Sequence, residues 1–313
     1  MNAQKNQIRF PKGIASSVGI FGEVLADVFP DGSVLGGAPY NVARHLRAFG
    51  LNPLLISRTG NDSLQQELLG DMARLGMDAS GIQSDPTYPT GQVQVHMLAG
   101  EHRFDILADQ AYDHIHSGIT HLVTMALKPD LVYFGTLVQR STTSRLALDS
   151  FLNDAGGPKF LDINLRAPWF DKHIIRRSLL RADMLKLNDQ ELTVLAELLR
   201  LPGKTPQEQV ITLIHRFKLE SVVVTCGMYG AWSINKDLSQ FSAAGHPVGS
   251  GVADSVGAGD GFAAVYLLGT LLNWPGDILL ARANQFAAAI CRIRGAAPKS
   301  ADFYTPFLLE WDG

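Results

Sequence analysis

The chain has 313 residues, 46% of them hydrophobic and 18% charged, with a net charge of −3. These values suit a globular cytoplasmic protein with a sizeable core, and they leave no basic footprint for nucleic acid or an anionic membrane. No apolar window reaches the ~18 residues of a membrane span, and the two cysteines, Cys226 and Cys291, read as reduced core thiols.

In chain order, a strand is predicted at 18–21, a short β piece with a Pro-Asp-Gly turn at 28–35, and a helix at 41–49. A strand at 54–57 and a helix at 63–75 follow. Residues 91–98 then alternate polar and apolar, and after Ala99-Gly100 a second run covers 101–107, which reads as a hairpin with one wet face. Beyond it come a strand at 131–134, a helix at 142–153, strands at 160–163 and 184–187, and helices at 190–199 and 206–217. A strand at 221–225 and an apolar helical run at 265–272 complete the set. Most of the strand runs are continuously apolar, as expected of parallel strands covered on both faces, so the fold class is α/β with a mostly parallel central sheet. The organisation expected is a single domain over 1–313. Its hairpin and its early β piece, near 91–107 and 28–36, would form a small β lid over the carboxyl ends of the strands, where open α/β sheets bind ligands.

The strongest chemical signal is Asp254-Ser255-Val256-Gly257-Ala258-Gly259-Asp260-Gly261-Phe262. A Gly-Ala-Gly turn that opens a helix presents backbone N–H groups at the positive end of the helix dipole and makes an anion site. An acidic residue there is ordinarily a helix cap. A carboxylate beside an anion hole is also what phosphoryl transfer needs, as a base for the attacking hydroxyl. Gly257-x-Gly259-x-Gly261 does not fit a dinucleotide fingerprint, and Gly203-Lys204-Thr205 lacks the first glycine of a P-loop. The second signal is Gly36-Gly37-Ala38-Pro39-Tyr40-Asn41 at the start of a helix. Its paired glycines permit close ligand approach, and Asn41 is either an N-cap or a donor–acceptor pair for sugar hydroxyls.

Together these motifs resemble the hallmarks of the ribokinase-like, or PfkB, family of carbohydrate kinases. The likeness extends over nearly the whole chain, through Gly22-Glu23-x-Leu25-x-Asp27, Ala182-Asp183-x-x-Lys186-x-Asn188-x-x-Glu191, Val224-Thr225-Cys226-Gly227-x-x-Gly230 and Ala283-Asn284. It implies a three-layer sandwich and an ATP-dependent sugar kinase that uses Mg²⁺. It also implies residue roles. Asp260 would be the general base, and Gly257, Ala258 and Gly259 the anion hole. Asp27, Gly37 and Asn41 would hold the sugar. Asn188 and Glu191 would organise Mg²⁺ through water, and Thr225, Gly227 and Asn284 would contact ATP. Asp254 would belong to a monovalent-cation loop, though Lys299, where many relatives have serine, leaves K⁺ open.

The segment Asp162-Ile163-Asn164-Leu165-Arg166-x-Pro168-Trp169 is similar to that of fructokinases and 2-keto-3-deoxygluconate kinases. There Arg166 would meet a phosphate or a carboxylate. The resemblance of Gly22-Glu23 and Gly36-Gly37-Ala38-Pro39 to fructokinases favours a primary hydroxyl of fructose as the acceptor. A 2-keto-3-deoxygluconate or nucleoside kinase, and a non-catalytic sugar- or nucleotide-binding relative, stay open. The partners implied are the small sugar and ATP, and a homodimer through the first lid segment is left open because that segment is short.

Overall fold

The structure is a computed structural model and describes residues 16–29, 32–98, 101–247 and 255–311. Its strands in chain order are β1 (Ser17–Phe21), β2 (Leu25–Phe29), β3 (Gly32–Gly36), β4 (Asn52–Gly60), β5 (Ile82–Asp85), β6 (Gly91–Leu98) and β7 (Glu101–Ile106). After them come β8 (Leu131–Phe134), β9 (Lys159–Asp162), β10 (Met184–Asn188), β11 (Ser221–Thr225), β12 (Ala231–Asn235) and β13 (Gln240–Ala243). The helices are α1 (Ala38–Ala48), α2 (Ser63–Leu75), α3 (Ser117–Leu127), α4 (Thr142–Asp154) and α5 (Lys172–Leu179). They continue with α6 (Asp189–Leu199), α7 (Pro206–Phe217), α8 (Ala258–Leu271), α9 (Gly276–Ile290) and α10 (Thr305–Trp311).

Among the described residues, nine strands form one sheet in the order β13-β12-β11-β10-β9-β8-β1-β4-β5. It is parallel from β11 to β5, and β12 and β13 are added antiparallel at one edge. All six strands predicted for the main sheet are in it. The continuous apolar runs have the cause expected of them. Val18 and Ile20 of β1, and Leu131 and Tyr133 of β8, join the core on one face, while Phe21, Val132 and Phe134 join the core on the other. A strand buried on both sides needs apolar residues at every position rather than every second one. One helical layer contains α1, α8 and α9 and the other α3 to α7, which gives three layers. Helix α8 is buried from Gly261 to Gly269, so its apolar surface all round has a simple reason: it is enclosed. Among the described residues no helix is long and apolar enough to cross a membrane.

A second, four-stranded sheet has the order β3-β2-β6-β7. The early β piece is longer than its sequence suggested, because β2 begins at Leu25 and pairs with β3 in register from Leu25↔Gly36 to Phe29↔Gly32. The 91–107 hairpin is present as β6 and β7, and β6 runs parallel to β2. Strands β5, β12 and β13 carried too little apolar pattern to be assigned beforehand. β5 and β13 are the edge strands of the main sheet, β12 lies just inside β13, and β13 is exposed or half-buried throughout.

Candidate active site

Strand order fixes where a site can form. From β1 the chain crosses to β4 on one side, and later returns to β8 on the other side before continuing to β9, β10 and β11. Loops leaving β1 and β8 therefore diverge, and a crevice opens at the carboxyl ends of these strands. A shallow recess lies there, lined by Glu23 after β1, by Gly135 and Thr136 after β8, by Asn164 after β9, and by Ala38 and Pro39 of α1. Asn164 holds a positive φ of 38°. That backbone is costly for a residue with a side chain, and strain of this kind concentrates at functional sites.

Two of the predicted site residues lie along the same edge, Thr225 at the end of β11 and Asn188 at the end of β10, and with them stand Asp162 at the end of β9 and Glu23 just after β1. With neighbouring strands ~4.8 Å apart, the row from β11 to β1 spans roughly 19 Å. The nucleotide candidates stand at one end of this row and the sugar candidates at the other.

The two hallmark motifs meet in space. Asn41 Nδ2 donates to Asp260 Oδ2 at 2.8 Å, across 219 residues of chain. Asn41 is therefore not the N-cap of α1. The cap is Gly37, at φ 103°, and a Cβ there would stand 2.8 Å from the Glu23 carbonyl oxygen. Gly257 caps α8 at φ 80°, so the backbone turns sharply and the first-turn N–H groups of Ala258, Gly259 and Asp260 lie at the helix start. Asp254 lies outside the described residues.

The charges around Asp260 oppose one another. Burial of its carboxyl raises the pKa, the Asn41 hydrogen bond lowers it, Asp162 raises it, and Lys186 and Arg166 lower it; the net shift is upward. Lys186 is buried, with Nζ 2.9 and 3.0 Å from the two Asp162 oxygens. Burial alone would lower the Lys186 pKa, but the carboxylates around it, Asp162 first and then Glu191 and Asp260, together more than offset it and the lysine stays charged. Its Nζ lies 3.4 Å from where a Cβ on Gly259 would stand, so a fixed positive charge sits behind the glycine turn. Asp162 also accepts from the Tyr133 hydroxyl at 3.3 Å.

Glu23 and Lys186 are site residues whose roles the sequence did not disclose. Glu23 is 5% exposed and its Oε2 has no hydrogen-bond partner among the described residues. Burial pushes its pKa up to about 7, against the pull of its own backbone amide and of Arg166. Its signals in the sequence were its place directly after a predicted strand in an open α/β sheet and its membership of the Gly22-Glu23-x-Leu25-x-Asp27 motif. Lys186 sits in a strand, where a lysine reads as an edge or surface residue until the partner strand supplies Asp162.

The remaining predicted residues divide by what they touch. Arg166 is exposed, and its charge acts on both Glu23 and Asp260. The Asp27 carboxylate reaches toward Gly36, with Oδ2 3.7 Å from where a Cβ on Gly36 would stand. Asn188 and Glu191 form a reciprocal cap at the start of α6: Glu191 N–H donates to Asn188 Oδ1 at 2.7 Å, and Asn188 N–H donates to Glu191 Oε2 at 2.8 Å. The other Glu191 oxygen accepts from Leu165 N–H at 2.8 Å. Each oxygen keeps one lone pair, so this carboxylate fits a hydrated cation held through its waters rather than direct coordination. Among the described residues no group of three His, Cys, Asp or Glu is placed to grip a metal. Gly227 opens an exposed turn whose next residues, Met228 and Tyr229, are each 79% exposed. Asn284 is buried and donates to the Ala243 and Ala244 carbonyls at 3.0 and 3.2 Å.

Residues 14–302 match the pfkB family of carbohydrate kinases. A probable fructokinase-5 of Arabidopsis thaliana is 26% identical, over 89% of this chain and 92% of its own length. A fructokinase of Xylella fastidiosa, solved with bound ATP, has a TM-score of 0.82 at 20% identity and covers 96% of this chain and 100% of its own. A 2-dehydro-3-deoxygluconokinase of Thermotoga maritima has a TM-score of 0.75 at 16% identity, covering 94% and 99%. The low identities of the two solved structures speak to the fold alone, and the family match speaks to the chemistry: the chain belongs to the pfkB family of carbohydrate kinases and is a sugar phosphotransferase.

Proposed function

We propose that this enzyme transfers the γ-phosphate of ATP to a primary hydroxyl of fructose, with Asp260 as general base. The hydrogen bond between Asn41 and Asp260 supports this reading most directly, because it joins the sugar motif to the catalytic motif at the start of α8. Asp27, Gly37 and Asn41 hold the sugar so that the attacking hydroxyl lies within reach of Asp260. The hydroxyl gives its proton to the carboxylate as its oxygen bonds to the γ-phosphorus and the bond to the ADP oxygen breaks. N–H groups of the Gly257-Ala258-Gly259 turn stabilise the charge on the moving phosphoryl group. Thr225, Gly227 and Asn284 border the nucleotide. Asn188 and Glu191 hold Mg²⁺ through its waters, and the ion, when bound, neutralises phosphate charge.

A neutral polyol suits the pocket better than an acid. Asn41 Oδ1 and Glu23 Oε2 are both buried acceptors without donors among the described residues. A sugar offers hydroxyl donors to such groups, whereas a substrate carboxylate offers none. Arg166 favours the second reading, a 2-keto-3-deoxygluconate kinase, since its charge would also suit a carboxylate. The test is a coupled kinase assay across hexoses, pentoses, 2-keto-3-deoxygluconate and nucleosides, with fructose expected to have the highest kcat/KM. A keto acid or nucleoside better by tenfold, about 1.4 kcal/mol in transition-state binding, would remove the fructose assignment and leave the sugar kinase.

A further inference from the structure

Helix α1 reaches the catalytic turn twice. Asn41 bonds Asp260, and His45, one helical turn further on the same face, is wholly buried beneath it. The His45 ring is held at both nitrogens: Nε2 lies 3.2 Å from the Ala296 carbonyl oxygen and Nδ1 2.8 Å from the Tyr304 hydroxyl. A carbonyl only accepts, so Nε2 carries the proton, and Nδ1 accepts from the Tyr304 O–H. The neutral ring satisfies every group in this chain. Burial and the nearby Arg44 guanidinium push the His45 pKa down to about 3, so the ring stays neutral at working pH. Phe286 packs edge-on against it, with centroids 5.2 Å apart.

Ala296 is the link to the chemistry. A Cβ on Gly257 would stand 2.4 Å from the Ala296 Cα and 2.7 Å from the same carbonyl oxygen that faces His45. The backbone at Ala296 is therefore the floor against which Gly257 turns, and Gly257 sets the direction of the N–H groups that follow.

We infer that His45 is a positioning residue for the anion hole: by gripping the Ala296 carbonyl from α1, it fixes the floor under Gly257 in register with the Asn41–Asp260 pair. The inference rests on the proposed role of the Gly257-Ala258-Gly259 turn. Displacing reacting groups by ~1 Å can cost ~10²-fold in rate, so a loosened floor acts on kcat before it acts on ground-state binding.

The test is a set of His45 variants, assayed for kcat, for the KM of fructose and ATP, and for thermal stability. In His45→Gln the side-chain amide nitrogen takes the place of Nε2 and can still donate to Ala296. In His45→Asn the shorter amide reaches only the Nδ1 position, and His45→Phe keeps the bulk without either bond. Expected is a fall in kcat of about ten- to a hundredfold in the Asn and Phe variants, with both KM values within about threefold of wild type. His45→Gln should keep kcat within about threefold. Equal losses in all three variants, or losses that follow thermal stability rather than the Ala296 bond, would make His45 a core residue only. If His45→Phe does not fold, the Gln–Asn pair decides. Asp260→Asn is the control for the underlying reading: an active Asp260→Asn enzyme overturns the assigned site, whereas an inactive one beside an unchanged His45 series overturns this inference alone.

Discussion

Asp260 must be ionised to take a proton, yet it sits among groups that pull its pKa both ways. Asp260→Asn keeps the acceptor for Asn41 and removes the base, so kcat should fall by ~10²–10⁴-fold with the fold and ATP binding intact. Near wild-type kcat at saturating substrates would refute the assignment. The raised pKa places the acid limb of kcat/KM above the range of an ordinary aspartate. The charged groups facing Asp260 are Asp162, Lys186, Arg166 and Glu23, with Asn41 and Tyr133 as neutral neighbours. Lys186 favours the ionised form, so Lys186→Met should move that limb to higher pH and lower kcat. Removing Asp162 as well, in Lys186→Met/Asp162→Asn, takes away the opposing charge and should bring the limb back toward wild type. A pH profile that does not move in the single variant would show that the buried pair does not tune the base.

At the scale of elements, the small sheet is tied to the site by more than its strands. Arg140, 6% exposed in its side chain, bonds Asp113 at 2.7 and 2.8 Å and the Leu107 carbonyl at 2.7 Å, just beyond β7. Its guanidinium also lies over the rings of Tyr112 and Trp169, at 4.8 and 4.4 Å. Trp169 belongs to the segment that carries Asn164 and Arg166, so one cation joins the hairpin end to the loop after β9. Breaking a buried pair by removing one partner leaves the other charge uncompensated. Arg140→Ala should therefore cost ~3–5 kcal/mol in denaturant unfolding, and a loss below 1 kcal/mol would show that the pair is not structural. We propose that β6 and β7 act as a lid that excludes water from the sugar. Replacing 94–105 by a short Gly-Ser linker should raise the KM for fructose more than that for ATP, and should raise ATP hydrolysis relative to transfer. An unchanged sugar KM would place the lid elsewhere.

For the whole molecule, buried ionisable groups make stability a function of pH. Glu23 has its folded pKa raised to about 7 from 4.5. The unfolded chain loses this proton first, so the contribution is fully present below pH 4.5 and is lost as pH rises through about 7. Glu23→Gln removes the titration and should flatten the decline in stability between those values, as read by thermal melts across the window. An identical slope in wild type and variant would show that Glu23 ionises freely. His45 acts in the opposite sense. Its folded pKa is depressed to about 3 from 6.5, so its contribution is present above pH 6.5 and is lost as pH falls toward 3.

Much of this was legible in the sequence. Parallel strands covered on both faces must be apolar at every position, and the runs at 18–21, 131–134 and 221–225 could hardly be anything else. The Gly-Ala-Gly-Asp turn and the Gly-Gly…Asn element were readable because their chemistry lies in local backbone: glycine at a positive φ and N–H groups at a helix start are properties of a few consecutive residues. The edge strands β5 and β13 were not legible, because they are held by pairing with a neighbour rather than by an apolar run of their own, and β12, just inside β13, was hidden because its buried positions include Ser233 beside Ala231 and Ile234. The exposed apolar residues of α3, Ile119, Leu122 and Met125, likewise misdescribe that helix, whose buried face is Thr120 and Thr124. Nor could one-dimensional pattern show that Asn41 does not cap α1 and bonds Asp260, that Lys186 is paired to Asp162, that Glu23 is buried with its Oε2 unpartnered among the described residues, or that His45 grips Ala296. These contacts join residues 24 to 251 positions apart. Side-chain identity determined which backbone each segment could adopt. Only the order of strands in the sheet decided which charges would share a low-dielectric crevice, and there pairing and burial, not sequence spacing, set what each group can do.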